Sequence, residues 1–497
     1  MSSIQNDMDY LSFRPRIRLT AFCNRSCSYC FAKDYLSARD KNDEIDLASM
    51  EKILRQCQDE KIQCIGWQGG EPTLHSNIHS IINLHKKYGI KAMVFTNGII
   101  SKDTIIALSD IVEAVLVNCN EPTTYKGDEL TNLFDNIKLM QELYGKERVA
   151  IGINIYSDKM DTSFILEYAL KTAINEVRID ITRPSPSNEN MFIDYSDIQR
   201  TFEEAKKIHK LLLDNGVEYV HFDCPFPLCA IGEENVSYLR NYINSDLGHG
   251  QCSTALDITP NSNIASCFCS IQFKDIGIDT FNSLTHAWLF IKYLEDEMKW
   301  STNAKDSCKN CSNRKNRLCQ GGCLGYKPGI NNVFDRKMLL SKQDLFEKSN
   351  IISSLYILYK TNDFKKCYEA AGLYLKDNKY KDNAAIKEIF ILSEIRLHMV
   401  HLYKDDIIKM VQNSFYPSLD ALLYASVLSE TNSLDLSIEI AELGLLLDKN
   451  LTAYRLHYFL YEAYKQQNQT IKSSMNLVRY YKYLPDINKK RMREMRR

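Results

Sequence analysis

The chain has 497 residues, of which 44% are hydrophobic and 25% are charged, so it is long enough for two or three globular domains. Its formal net charge of −1 provides no basic field, and nucleic acid is therefore not an expected partner. Residues 1–15 lack a signal-peptide pattern, and no apolar run approaches the roughly 20 residues that span a bilayer, which predicts a cytoplasmic protein without a membrane segment.

Residues 16–223 alternate between β-rich runs and amphipathic helical patterns. Strands are predicted at 16–21, 62–67, 91–96, 114–118, 149–156 and 177–182. Helices are predicted between them, among others at 46–60, 130–145 and 161–174. Such alternation is built by right-handed crossovers onto a parallel sheet. The predicted fold is therefore α/β, with a partial (β/α)6 TIM-like barrel in residues 1–223.

The most informative residues are cysteines. The chain has 16 of them, and in a reducing compartment their short spacings favour metal or cluster ligation over disulfides. Cys23, Cys27 and Cys30 follow the first predicted strand as C-x3-C-x2-C, with an aromatic residue directly after the last. A structural zinc site takes four protein ligands, whereas three thiolates can hold three corners of a [4Fe–4S] cube and leave one iron open. This spacing favours a cluster with one exchangeable position.

The same spacing, followed by WQGGEP after the second strand, resembles the radical S-adenosylmethionine (SAM) enzymes. The resemblance implies that Cys23, Cys27 and Cys30 bind a [4Fe–4S] cluster whose open iron is chelated by SAM. Reduction of that cluster would cleave SAM to a 5′-deoxyadenosyl radical, which abstracts hydrogen from a substrate. A reductant such as flavodoxin or ferredoxin is then an expected partner.

The resemblance also implies SAM contacts at the ends of later strands. Gly69 and Gly70 would let backbone approach the methionyl moiety, and Glu71 would accept from its ammonium group. Asn120 stands where relatives often carry an acid. The remaining candidate SAM contacts are Thr96, Asn97, Asn118, Asn154 and Arg183.

Residues 224–339 resemble the SPASM/twitch extension that carries auxiliary iron–sulfur clusters. Their richness in Cys, Asn, Ser and Gly, with little periodicity, predicts a small domain organised by ligation. The cysteines are consistent with one or two auxiliary [4Fe–4S] clusters, or with a zinc ribbon at Cys308, Cys311, Cys319 and Cys323. Cys224 and Cys229 are candidate upstream ligands. One allocation for two clusters places Cys229, Cys252, Cys267 and Cys323 on the first, and Cys308, Cys311, Cys319 and Cys269 on the second.

Residues 340–497 have an all-helical pattern without cysteine clusters. Turns are predicted at residues 362–363, 432–433 and 468–469. The first two turns are separated by about two periods of a paired-helix repeat, and the last two by about one period. A tetratricopeptide (TPR)-like array and an ordinary helical bundle are both consistent with this spacing. The basic residues 488–497 are interpreted as a solvated end.

The family resemblance implies an enzyme and favours a peptide maturase, which abstracts hydrogen from a residue of a precursor peptide or protein and installs a crosslink or an oxidative modification. The helical region would then dock the leader peptide or a partner. A sulfatase-type formylglycine maturase is less favoured, because Phe268 rather than an acid follows Cys267, and Asp257 is the nearest acid upstream. The same residues are also consistent with a radical SAM oxidoreductase or epimerase that acts on a small molecule, and with a non-enzymatic cluster scaffold.

Overall fold

The computed structural model describes residues 13–36, 43–242, 252–268, 272–315, 319–327, 333–399, 404–414, 417–431, 433–447 and 454–483. Cys269, the turn predicted at 432–433 and the basic end at 488–497 lie wholly or partly outside these residues. The described chain forms two compact units, one from Phe13 to Ser349 and the other from Asn350 onward.

Parallel strands form the core of the first unit. They are β1 Arg16–Thr20, β2 Cys64–Gly69, β3 Lys91–Thr96, β4 Val112–Cys119, β5 Val149–Ile155, β6 Glu176–Ile181 and β7 Tyr219–Phe222. Each pairs in parallel with the next one along the chain. All seven residues of β5 are buried, as expected of a central strand covered on both faces. The predicted α/β fold with six β/α units is confirmed, and β7 adds a seventh strand.

Helices follow each of the first six strands. They are α1 Lys33–Leu36, α2 Leu47–Asp59, α3 Ile78–Tyr88, α4 Lys102–Leu108, α5 Glu129–Tyr144, α6 Ser163–Thr172 and α7 Ile198–Asp214. Asp46 caps α2 by accepting from the Ser49 backbone N–H at 2.9 Å, and α3 ends at Gly89 in the left-handed conformation. These caps fix where the helices begin and end between the strands.

The sheet is an open barrel wall, because within the described residues β7 does not pair back to β1. Instead β1 pairs in parallel with a strand of the cysteine-rich segment, with Arg16 opposite Asp257. Four strands of that segment continue the sheet, namely β8 Asp257–Ile258, β9 Asn263–Ala265, β10 Gln272–Gly277 and β11 Val333–Phe334. The division into separate domains at 1–223 and 224–339 stays a prediction, because strands of both segments share one sheet.

The cysteine-rich segment also contains helices. They are α8 Leu228–Ile231, α9 Glu233–Tyr242, α10 Leu284–Ser301, α11 Ser312–Lys315 and α12 Arg336–Ser341. Helix α10 was not predicted from the sequence, although it is 18 residues long. Most of its first turns are buried, including Leu284, Phe290 and Ile291, so the helix lacks the polar face that periodicity detects. Ligation is therefore not the sole organiser of this segment.

The second unit is helical, as predicted. Its helices are α13 Gln343–Lys360, which begins in the first unit, α14 Phe364–Lys376, α15 Ala384–Arg396, α16 Lys404–Asn413, α17 Pro417–Glu430, α18 Leu434–Leu447, α19 Tyr454–Gln466 and α20 Thr470–Tyr483. Asn362 and Asn468 occupy two of the predicted turns with φ of 63° and 59°, a conformation that asparagine tolerates. The TPR-like assignment remains a prediction. Within the described residues, no helix is long and apolar enough to cross a membrane.

Candidate active site

The loop that follows β1 carries three partly exposed thiols, those of Cys23, Cys27 and Cys30. The backbone N–H of Arg25 donates to Cys23 Sγ at 3.4 Å, and Asn120 Nδ2 lies 3.9 Å from Cys27 Sγ. Amide donors directed at sulfur stabilise the thiolate form, which is the form that binds iron. No three Cys, His, Asp or Glu side chains among the described residues converge on a single metal ion. A cube makes no such demand, because each of its cysteines binds a different iron.

Gly69 and Gly70 pass directly under the backbone that leads to Cys23. A Cβ on Gly69, whose φ is +138°, would lie 2.2 Å from Thr20 O, and one on Gly70 would lie 2.0 Å from Phe22 O. The Gly70 N–H donates to Thr20 O at 2.7 Å. Glycine is therefore required at both positions for the two strand ends to pack closely. This explanation differs from the one that the family resemblance implies, in which the glycines let backbone approach SAM.

Glu71 is buried at the end of β2 and connects two turns. Its Oε1 accepts from the Thr73 backbone N–H at 3.2 Å and from the hydroxyls of Thr73 and Thr96 at 2.7 and 2.9 Å. Its Oε2 accepts from the Asn97 backbone N–H at 2.7 Å. Burial raises the pKa of Glu71, and these hydrogen bonds oppose that rise. The carboxylate therefore positions the turn that carries Thr96 and Asn97, and Oε2 retains acceptor capacity.

A hydrogen-bonded chain of side chains connects the ends of β4 and β5 with the cysteine loop. Asn154 Nδ2 donates to Asn118 Oδ1 at 2.5 Å, and Asn118 Nδ2 donates to Tyr29 Oη at 2.8 Å. The Tyr29 hydroxyl in turn donates to Asn120. Tyr29 also stacks on Tyr156 with ring centroids 5.2 Å apart. Tyr29 was not predicted from the sequence, although an aromatic residue directly before the third cysteine was a usable signal.

Arg183, which follows β6, turns toward the cysteine-rich segment. Its guanidinium donates to Asp180 Oδ1 at 2.6 Å and to the backbone carbonyl of Cys224 at 2.9 Å. The Arg183 and Asp180 side chains are both buried, so each charge neutralises the other. Asn190 ties the same loop to the first cysteine loop, because its Nδ2 donates to the carbonyls of Tyr29 and Arg183. The structure thus joins Arg183 to the auxiliary cysteines.

The thiols of Cys224 and Cys323 lie near this arginine, because together with Asp180 they raise its pKa against the opposing effect of burial. Burial raises the pKa of the Cys252 thiol to about 12, and the nearby thiols of Cys323 and Cys267 contribute to the rise. Burial likewise raises the pKa of Cys224, with a contribution from Cys323. The Cys323 N–H donates to Pro225 O at 3.0 Å, which holds the two loops together. Cys224 was not among the ligands of the predicted allocation.

A second group lies around Tyr195. Its hydroxyl is 2.9 Å from Cys229 Sγ, and burial, Cys229, Cys308 and Cys319 all raise its pKa. Burial raises the pKa of Cys319, and the thiols of Cys229 and Cys311 raise it further. Cys229 therefore shares an electrostatic environment with Cys308, Cys311 and Cys319. The allocation that placed Cys229 with Cys252, Cys267 and Cys323 stays a prediction.

A cavity of about 350 Å³ opens beside the Tyr29–Tyr156 stack. It lies next to the ends of β5 and β6 and includes Tyr156, Asn190 and Met191 among its lining residues. The charged residues in its lining are three aspartates, Asp158, Asp194 and Asp197. Since the carboxyl ends of parallel strands are where such folds bind their ligands, this cavity is the candidate substrate site.

The chain is similar to one family model and to several known proteins. The family model described as the Radical SAM superfamily matches residues 17–124. GTP 3′,8-cyclase of Clostridium perfringens is 31% identical over 230 residues, which cover 44% of this chain and 70% of that protein. Mycofactocin maturase MftC of Mycolicibacterium smegmatis is 21% identical over 327 residues, which cover 62% of this chain and 77% of that protein. Streptococcus suis SuiB bound to precursor peptide SuiA superposes with a TM-score of 0.47 at 16% identity, covering 65% and 74% of the two chains.

The chain belongs to the radical SAM superfamily and is an enzyme. Membership implies SAM and a [4Fe–4S] cluster as its cofactors.

Proposed function

We propose that this enzyme is a peptide or protein maturase, which abstracts hydrogen from a residue of its substrate and installs a crosslink or an oxidative modification. The observation that carries the proposal is the pair of cysteine groups beside the barrel end, because eight thiols can hold two auxiliary clusters able to accept electrons from an oxidised substrate. The similarity to mycofactocin maturase supports it, since that match spans 62% of this chain, against 44% for the GTP cyclase.

Cys23, Cys27 and Cys30 would hold the SAM-binding [4Fe–4S] cluster, whose hydrogen-bond donors Arg25 N–H and Asn120 Nδ2 are in place. When bound and reduced with SAM, this cluster supplies the 5′-deoxyadenosyl radical. Glu71 would accept from the SAM ammonium through Oε2 and hold the turn after β3. The remaining proposed SAM contacts are Gly69, Gly70, Thr96, Asn97, Asn118 and Asn154.

The auxiliary cofactors are proposed as two [4Fe–4S] clusters. Cys224, Cys252, Cys267 and Cys323 would bind the first, and Cys229, Cys308, Cys311 and Cys319 the second. Arg183 is reassigned by this proposal from SAM to the first auxiliary cluster, because it donates to the Cys224 carbonyl.

The charges of the cavity do not discriminate between substrate classes. Of its three lining aspartates, Asp158 and Asp197 both pair with Arg200, at 2.5 and 3.2 Å. The proposal of a peptide substrate therefore rests on the cysteine groups and on the similarity to mycofactocin maturase. A formylglycine maturase is not supported, because Asp257 is held by Arg16 at 2.6 Å and Arg18 at 2.9 Å and is thereby unsuited to act as a base.

The test is anaerobic reconstitution with iron and sulfide, followed by incubation with SAM and reduced flavodoxin or ferredoxin. The 5′-deoxyadenosine formed is quantified with and without a fractionated peptide pool and, separately, a pool of small metabolites. We expect cleavage of SAM that peptides stimulate. An absence of 5′-deoxyadenosine from iron-loaded protein would contradict radical chemistry, and stimulation by the metabolite pool alone would favour a small-molecule substrate, in keeping with the GTP cyclase similarity.

A further inference from the structure

Tyr195 lies in a loop that contacts both the candidate cavity and an auxiliary cysteine. It begins the short turn Tyr195–Asp197, in which the Asp197 N–H donates to Asp194 O at 2.9 Å. Asp194 and Asp197 line the cavity. The Tyr195 hydroxyl lies 2.9 Å from Cys229 Sγ. One short loop therefore connects the lining of the cavity with Cys229.

Two contacts orient the Tyr195 ring. Lys305 Nζ lies 3.5 Å from the ring centroid, and the Tyr326 ring packs edge-on against it with centroids 6.4 Å apart. The Tyr326 hydroxyl donates to the carbonyls of Thr182 and Ile193, at 3.2 and 3.1 Å. Because the ring is held by packing on the chain that precedes it, the direction of its hydroxyl is set by more than the bond to sulfur.

The chemistry of the two groups sets the direction of this hydrogen bond when the sulfur binds iron. A free thiol can donate or accept, whereas an iron-bound thiolate has no proton and can only accept. A tyrosine hydroxyl keeps its proton at neutral pH, so Tyr195 is the donor. The Gly321 N–H also donates to a neighbouring auxiliary thiol, Cys319 Sγ, at 3.3 Å. Donors directed at sulfur are the surroundings that suit the ligands of an iron–sulfur cluster.

We infer that Tyr195 is a positioning residue whose hydroxyl donates to the Cys229 thiolate and raises the reduction potential of the second auxiliary cluster. The inference rests on the proposed function, which assigns that cluster to Cys229, Cys308, Cys311 and Cys319. The reduced cluster carries one electron more than the oxidised cluster, so a donor at its sulfur stabilises the reduced form more. The cluster is then a better acceptor for the electron that the substrate loses on oxidation.

The experiment is a potentiometric titration of the full-length, iron-loaded protein and its Tyr195→Phe variant, monitored by electron paramagnetic resonance. The substitution removes only the hydroxyl group. We expect the ratio of reduced to oxidised form of one auxiliary cluster, at a fixed potential, to fall by about three- to tenfold, where tenfold corresponds to about 59 mV for one electron. The other auxiliary cluster should keep its potential, and the iron content should not change.

Tyr88→Phe is the matched control. Its half-buried hydroxyl donates to a carboxylate, Glu51 Oε1, at 2.8 Å, so its removal should leave every cluster potential unchanged. A second readout detects the donated hydrogen itself. After exchange into D2O, electron–nuclear double resonance should show fewer exchangeable deuterons at the reduced cluster of Tyr195→Phe, while the deuteron of the Gly321 amide should remain.

Unchanged potentials in Tyr195→Phe, equal shifts of both auxiliary clusters, or an unchanged number of exchangeable deuterons would each overturn the inference. Loss of iron from Tyr195→Phe would also overturn it, because the tyrosine would then support the site structurally. Cys229→Ala should lose about four irons, and full iron content in that variant would overturn the cluster assignment together with the inference. The titrations need neither SAM nor a peptide, so a failure here is separate from a failure of peptides to stimulate SAM cleavage.

Discussion

The Glu71 carboxylate accepts a hydrogen bond of 2.7 Å from the backbone N–H of Asn97, and this bond joins the turn after β2 to the turn after β3. Both residues are buried. Glu71, which the family resemblance implies as a SAM contact, therefore also connects two strand ends.

Glu71→Gln should weaken this connection. An amide in place of the carboxylate directs N–H donors at a backbone N–H, which leaves a buried donor unpaired and should lower the free energy of unfolding by about 1–3 kcal/mol. Urea unfolding measures this, and equilibrium dialysis of SAM under anaerobic conditions should show weaker binding. Glu113→Gln, at an exposed position of β4, is the matched control and should change neither. Unaltered stability and SAM affinity of Glu71→Gln would refute the role.

The ion pair between Arg18 and Asp257 should be important for stability, because it joins β1 to β8 in a fully buried setting. Asp257→Asn leaves the buried Arg18 guanidinium without its counter-charge and should cost about 3–5 kcal/mol in urea unfolding. Asp279→Asn, which removes the exposed pair with Lys52, should cost less than about 1 kcal/mol. Equal effects of the two variants would show that burial does not govern this pair.

Replacing Cys23, Cys27 and Cys30 together by Ala should remove about four irons per chain and abolish SAM cleavage. Auxiliary iron should remain, because those cysteines lie in other loops. Cys57→Ala, at a fully buried thiol of α2, serves as the control and should retain full iron and activity. If the triple variant still formed 5′-deoxyadenosine, the cluster would have to be held elsewhere.

The two cysteine groups predict a pattern of iron loss. Cys224→Ala and Cys323→Ala should each lose the same cluster, so the double variant should lose no more than about four irons. Cys224→Ala combined with Cys319→Ala should lose about eight, since each belongs to a different group. Iron analysis with electron paramagnetic resonance of the reduced proteins checks both. If the Cys224→Ala and Cys323→Ala losses of iron were additive, Cys224 and Cys323 would not bind the same cluster.

Glu388 should make stability depend on pH. Burial and the neighbouring Asp420 raise its pKa from 4.5 to about 8. The folded state then binds this proton more tightly than the unfolded state, so the free energy of unfolding should fall as pH rises from 4.5 to about 8, by about 2 kcal/mol or less for this group. Glu388→Gln should flatten that decline in urea titrations at pH 5, 6.5 and 8. If the free energy of unfolding of Glu388→Gln fell with pH as steeply as that of the unaltered protein, other groups would be responsible for the pH dependence.

The first six parallel strands were predictable from short β-rich runs that alternate with amphipathic helical patterns, whereas β7 was not predicted. Prediction failed for α10, whose largely buried surface carries no such pattern. The sequence also could not show which of Cys224 and Cys229, in CPFPLC at residues 224–229, binds which cluster. The two cysteines are close together in the chain, and both are within reach of several loops.

By itself, the sequence determined the order of the first six strands and their helices, the positions of Cys23, Cys27 and Cys30 after the first strand, and the helical character of the region beyond residue 340. These depend on local periodicity and on spacing within single loops. Only the tertiary structure decided that Cys229 lies beside Tyr195 and that Arg183 donates to the Cys224 carbonyl. Such contacts join residues far apart in the chain, and the packing of strands and helices fixes them through distances that no local pattern encodes.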